Sequence, residues 1–129
     1  MNILFRVDSY PEIAVGHIAR CIKLGTALEK FGNKITFISY QDFEAKARLK
    51  ASGFDYYLIE HQINTKGFVD EEYNLFSECK IDTDIVIVDS YNVEATYFNR
   101  LKKIFPVVVY LDDLGYDFNI DMVINSSCK

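Results

Sequence analysis

Three observations predict a doubly wound α/β domain on a mostly parallel, six-stranded sheet. Short β-branched and aromatic runs alternate with segments of helical periodicity along the whole chain. The run Asp84-Ile85-Val86-Ile87-Val88-Asp89 is apolar at every inner position, as a central parallel strand covered on both faces requires. Gly32, Gly53 and Pro106 stand where one segment must stop before the next begins. Together they describe a Rossmann-like arrangement of strands and crossover helices.

The elements follow in order. Residues 3–7 form a short apolar strand that starts almost at the N-terminus. A loop over residues 8–15 leads into a helix from Ile18 onward, with Cys21, Leu24, Leu28 and Phe31 at core spacing. Gly32-Asn33 supplies the stop. Residues 35–39 are a β-branched, aromatic strand, and residues 42–52 a helix closed by Gly53, with Glu44 and Arg48 spaced for a surface pair. A third strand covers 55–59, and 61–67 is a polar loop. Residues 69–79 make a weaker helix with Asp70, Glu71 and Glu72 in its acidic first turn. The central strand spans 84–89. Asn92 is placed to cap a helix carrying Tyr97, Leu101 and Ile104. Pro106 ends that helix and opens a strand over 107–111. A sixth strand covers 121–125, and the sequence stops four residues later without a closing helix. That ending is the one expected of half of a larger protein.

Composition narrows the function classes. The 129 residues suit one domain, long enough to bury roughly two thirds of the unfolded surface without disulfides or metal. Half the residues are hydrophobic and the mean hydropathy is near zero, as in a soluble globular protein. The net charge is −5, the pI is about 5.0, and no basic stripe gathers the Lys and Arg along the sequence, so nucleic acid is not an expected partner. Three widely spaced cysteines without a Cys-x-x-Cys motif point to free thiols in a reducing, cytoplasmic compartment and not to zinc. No basic leader and no long apolar run is present, so neither a signal peptide nor a membrane span is expected.

The candidate site lies where the first strand hands over to the first helix, at Gly16-His17. Ligands of open α/β sheets bind beyond the carboxyl ends of the strands. A helix N-terminus there offers free N–H groups and a partial positive charge to an anionic or polar ligand. The same charge disfavours an imidazolium, so His17 is expected neutral and able to accept a proton as a general base. The topology brings Asp8, Asp89, Ser90, Tyr91, Asp112, Asp113 and Asn125 to the same rim. Competing readings accompany several of these. His17 also suits a plain helix surface. Arg6, in an otherwise apolar strand, either contacts substrate or pins strand ends through Asp8 or Asp89. Asp112 and Asp113 either hold a divalent metal with Asp89 or cap the following turn. His61 suits a solvated loop, and Cys21 falls on the apolar stripe as a core residue.

A resemblance adds to this reading. Phe5-Arg6-Val7-Asp8 followed by Ile13-Ala14-Val15-Gly16-His17-Ile18-Ala19-Arg20-Cys21 resembles the opening of the UDP-sugar hydrolases of pseudaminic acid biosynthesis, shared by spore-coat polysaccharide proteins. Asp89-Ser90-Tyr91, Leu111-Asp112-Asp113 and Asp121-Met122-Val123-Ile124-Asn125 continue it along the chain, while Ala14 stands where the family usually carries glycine. The resemblance implies the N-terminal domain of a two-domain GT-B-type protein. Such proteins cleave a UDP-linked diacetamido-trideoxy-altrose with water, without metal or other cofactor. It places the active-site histidine on His17 and an active-site tyrosine on Tyr91. Gly16, Arg6, Asp8 and Tyr91 are the candidate substrate-binding residues of this reading. The nucleotide would sit on a C-terminal domain outside this sequence, leaving the chain alone inactive. A GT-B glycosyltransferase of surface polysaccharide synthesis would use the same residues with a hydroxyl acceptor. A non-enzymatic nucleotide- or sugar-binding module is the third reading. A phospho-receiver is disfavoured, because only Asp8 follows the first strand where an acidic pair is needed.

Overall fold

A computed structural model describes residues 1–8, 16–59, 74, 76, 83–90, 95–112 and 121–125. Six strands form one sheet: β1 (Asn2–Val7), β2 (Lys34–Tyr40), β3 (Asp55–Ile59), β4 (Ile85–Asp89), β5 (Val107–Asp112) and β6 (Met122–Asn125). Three helices are described: α1 (Gly16–Glu29), α2 (Phe43–Ser52) and α3 (Ala95–Ile104). The spatial order is β3-β2-β1-β4-β5-β6, and all five pairings are parallel. The expected Rossmann-like α/β architecture is therefore present. This order reverses direction between β1 and β4, and the crevice at such a switch point is where open α/β sheets bind ligands.

Strand alternation divides the core in two. Ile3, Phe5, Val7, Phe37, Ile87 and Val109 face α1 and α2, together with Ile18, Cys21 and Leu49 of those helices. Leu4, Ile38, Val86, Val88, Val108 and Tyr110 face the other way, against Tyr97, Phe98 and Leu101 of α3 and the buried Phe76. Phe5, Phe37 and Phe54 stack in a row under α1 and α2, with centroids 4.9 and 5.7 Å apart.

Local chemistry sets the helix ends. The Asp42 carboxylate accepts the Ala45 N–H at 3.1 Å, capping α2. Gly53 closes α2 at φ 81°, a left-handed conformation that costs glycine little. In α1 the face toward the sheet carries Ile18, Cys21 and Gly25. A Cβ on Gly25 would stand 3.2 Å from the Ile35 side chain, so the bare glycine lets α1 approach the sheet.

Some expectations need correction. Phe31 is not the last core residue of α1. The helix ends at Glu29, and Phe31 projects from the turn, 85% exposed. The helix also begins earlier than Ile18, so His17 belongs to its first turn. Glu44 and Arg48 are absent from the ion pairs of the described residues. The loop at 61–67 lies outside the described residues, as does the helix at 69–79 apart from Asn74 and Phe76.

Candidate functional site: a carboxylate at the switch point

The β1–β4 crevice is built around two carboxylates. Val7 is registered with Asp89, and the Asp8 N–H donates to the Asp89 carbonyl at 2.9 Å, extending the ladder past the end of β1. Asp8 and Asp89 are both buried. Their side chains serve opposite faces of the sheet. Asp89 follows Ile85 and Ile87 toward α1, whereas Asp8 follows Leu4 and Arg6 toward the α3 side.

On the α1 side, three residues of one helix face converge on Asp89. His17, Arg20 and Cys21 are spaced i, i+3 and i+4, so α1 presents them together. The His17 Nδ1 lies 2.5 Å from Asp89 Oδ1. Arg20 donates through Nε to Oδ2 at 2.7 Å and through a terminal nitrogen to Oδ1 at 2.8 Å. This two-pronged contact matches the planar guanidinium to the carboxylate. The Cys21 thiol donates to Oδ2 at 3.3 Å. Asp89 thus receives four contacts while 1% exposed, and the buried negative charge is balanced by Arg20. Burial, first, and then the Asp89 charge and hydrogen bond push the Cys21 thiol's ionisation well up, with Arg20 opposing. Cys21 is therefore a protonated donor in the core, in keeping with its expected non-nucleophilic place.

The Asp89 contact determines the histidine's chemistry. An ionised carboxylate only accepts, so the hydrogen between the two groups sits on Nδ1. In the neutral ring the lone pair is then on Nε2. A carboxylate that fixes tautomer and orientation in this way is the arrangement used by histidine general bases.

On the opposite face, Arg6 donates to Asp8 Oδ1 at 2.5 Å and to the Tyr40 hydroxyl at 2.6 Å. Its guanidinium also lies over the Tyr40 ring, 4.8 Å from the centroid. Ser90 Oγ donates to Asp8 Oδ2 at 2.8 Å, and the Tyr110 hydroxyl donates to the Ser90 carbonyl. Arg6 is 2% exposed. These contacts tie the ends of β1, β2, β4 and β5 together, which is the pinning role weighed for Arg6.

The structure therefore places these residues at the C-terminal ends of β1 and β4 as two clusters, His17 with Asp89 on the α1 face and Arg6, Asp8 and Ser90 on the α3 face, with Gly16 as the first residue of α1. Asp112 and Asn125 are register partners of β5 and β6. Tyr91, Asp113 and His61 lie outside the described residues. Among the described residues, no group of three or more His, Cys, Asp or Glu is arranged to hold a metal ion, and Arg20 engages both oxygens of Asp89. Sequence reasoning missed Asp89 as the partner of His17, and gave Arg20 a place in the resemblance but no role. The signal for both was the spacing of His17, Arg20 and Cys21, one polar helix stripe aimed at the sheet.

No protein-family model matches the chain, and no solved structure matches it. An uncharacterized protein of Methanocaldococcus jannaschii is 24% identical over 98% of this chain. The chain spans about a quarter of the length of that curated relative. No helix among the described residues is long and apolar enough to cross a membrane.

Proposed function

We propose that this chain is the sugar- and water-holding half of a GT-B-type UDP-sugar hydrolase, with His17 as general base. The substrate class is a UDP-linked diacetamido-trideoxy-altrose, as the resemblance of the Arg-x-Asp and Gly-His-x-x-Arg-Cys elements implies. The observation that carries the reading is the Asp89 carboxylate on His17 Nδ1 at the sheet's switch point. In the reaction, water attacks the anomeric carbon and loses a proton to His17 Nε2. The bond from that carbon to the UDP oxygen breaks, and UDP leaves with the electron pair. Because UDP leaves readily, base help to the water is the main chemical need, commonly worth about 10²–10⁴ in rate. Asp89 stabilises the imidazolium as it forms, while Arg20 holds the carboxylate in place.

The nucleotide belongs to a second α/β half in this reading. Diphosphate recognition draws on backbone N–H groups at helix ends supplied by that half. The chain alone is accordingly expected to leave UDP unbound at millimolar concentration.

Isotope transfer tests the reaction. Incubation of UDP-sugar with the protein that carries both halves, in ¹⁸O-labelled water, should place the label on the sugar's anomeric oxygen and leave UDP unlabelled. Labelled UDP, or UDP release only when a sugar acceptor is added, would contradict hydrolysis by this route. The second outcome would establish a glycosyltransferase.

A further inference from the structure

The outer face of the α1/α2 layer carries a charge opposite to that of the whole protein. The exposed charges of α1, the turn after it and α2 are Lys23, Lys30, Lys46, Arg48 and Lys50 against Glu29 and Glu44, a local balance of +3 within a net −5. Lys23 and Lys30 of this layer are exposed, as are Lys46, Arg48 and Lys50 of α2, and none of these five enters an ion pair among the described residues. Between the helices runs an open groove of about 360 Å³, floored by Ala19, Ile22 and Ala51 and flanked by Lys23 and Arg48.

Two aromatic residues stand out from the same layer. Phe31, just beyond the end of α1, is 85% exposed, and Phe43, at the start of α2, is 84% exposed. Each has a lysine close by: Lys30 beside Phe31, and Lys46 three residues after Phe43. A phenylalanine left almost wholly in water gains nothing within the fold. Paired with cations, it fits a surface that is anionic outside and apolar just beneath. An acidic protein partner would need a shaped socket for each ring. A bilayer accepts both rings without one, and its anionic headgroups attract the lysines.

We propose that the α1/α2 face seats the protein peripherally on an anionic lipid surface. The Asp89 cluster faces the sheet from the inner side of α1, so docking leaves that site's geometry intact.

Co-sedimentation of the full chain with vesicles tests the proposal. Binding is expected to phosphatidylcholine vesicles containing about a third phosphatidylglycerol, and not to pure phosphatidylcholine. Raising the salt to about 0.5 M should abolish it, because surface attraction fades within a Debye length. Phe31→Ser with Phe43→Ser should weaken binding at least about tenfold. Lys23→Glu with Arg48→Glu should do the same, and both pairs lie at the surface, where the fold tolerates them. Absence of binding to the anionic vesicles overturns the proposal. So does binding unchanged by the phenylalanine pair, or binding of RNA or polyphosphate that matches the vesicles and ignores that pair.

Discussion

His17 and Asp89 are 72 residues apart in sequence, yet their side chains meet at 2.5 Å, imidazole Nδ1 to carboxylate Oδ1, at the crevice between β1 and β4. The contact depends on topology. Only the crossover that sets β4 beside β1 brings Asp89 under the first turn of α1.

Replacing Asp89 with Asn should release the histidine's tautomer. An amide can donate as well as accept, so Nδ1–H is no longer enforced. Long-range proton–nitrogen NMR of the His17 ring should show Nδ1–H in the wild type and a mixture in Asp89→Asn. UDP-sugar cleavage should fall about a hundredfold or more with the wrong tautomer. A wild-type ring protonated only at Nε2 contradicts the assigned contact.

Arg6 and Asp8 should act as one unit of stability. Asp8→Ala leaves a buried guanidinium without its carboxylate, and Arg6→Met leaves a buried carboxylate without its cation. Each single change should cost about 3–5 kcal/mol. The double variant should cost clearly less than the sum. Additive losses in denaturant titrations would dissolve the pair.

The Cys21 thiol sets a pH dependence. Burial and the Asp89 charge push its ionisation up in the fold, while the unfolded chain ionises it in the ordinary thiol range, near about 8.5. Above that range the unfolded state binds fewer protons than the native state, so this group's contribution to stability is full below it and declines as pH rises. The decline should approach about 1.4 kcal/mol per pH unit and be absent in Cys21→Ala. Equal slopes for the two proteins would refute the shift.

Gly25 should resist enlargement. Its missing Cβ faces Ile35 and Phe54 at 3.2 and 3.4 Å, so Gly25→Leu should push α1 from the sheet and cost about 2–3 kcal/mol. Thermal melting measures this, and an unchanged midpoint would mean that α1 is not so close.

The sheet was legible in the sequence because buried parallel strands must be apolar and their helices periodic. Every strand expected from Ile3 to Asn125 is present to within a residue at either end. The Phe31 expectation failed for a physical reason. Periodicity cannot tell an apolar residue on a helix stripe from one just past its end, and Phe31 lies in the turn that follows Glu29 and that Gly32 continues at φ 88°. Gly25 was invisible for the converse reason, since a close approach is marked by no side chain at all. The rim position of His17 followed from strand and helix order alone. Its partner did not, because Asp8, Asp89 and Asp112 all end strands, and choosing among them requires the strand order and the face each one serves.

The central claim is that His17 takes the proton from the attacking water. The decisive measurement is the turnover of UDP-sugar by the protein carrying both halves, wild type against His17→Ala, with UDP affinity measured in parallel. Turnover should fall at least about a hundredfold while UDP affinity stays unchanged. A His17→Ala protein that keeps a tenth or more of its turnover would remove His17 from the chemistry and leave the Asp89 cluster a structural pin.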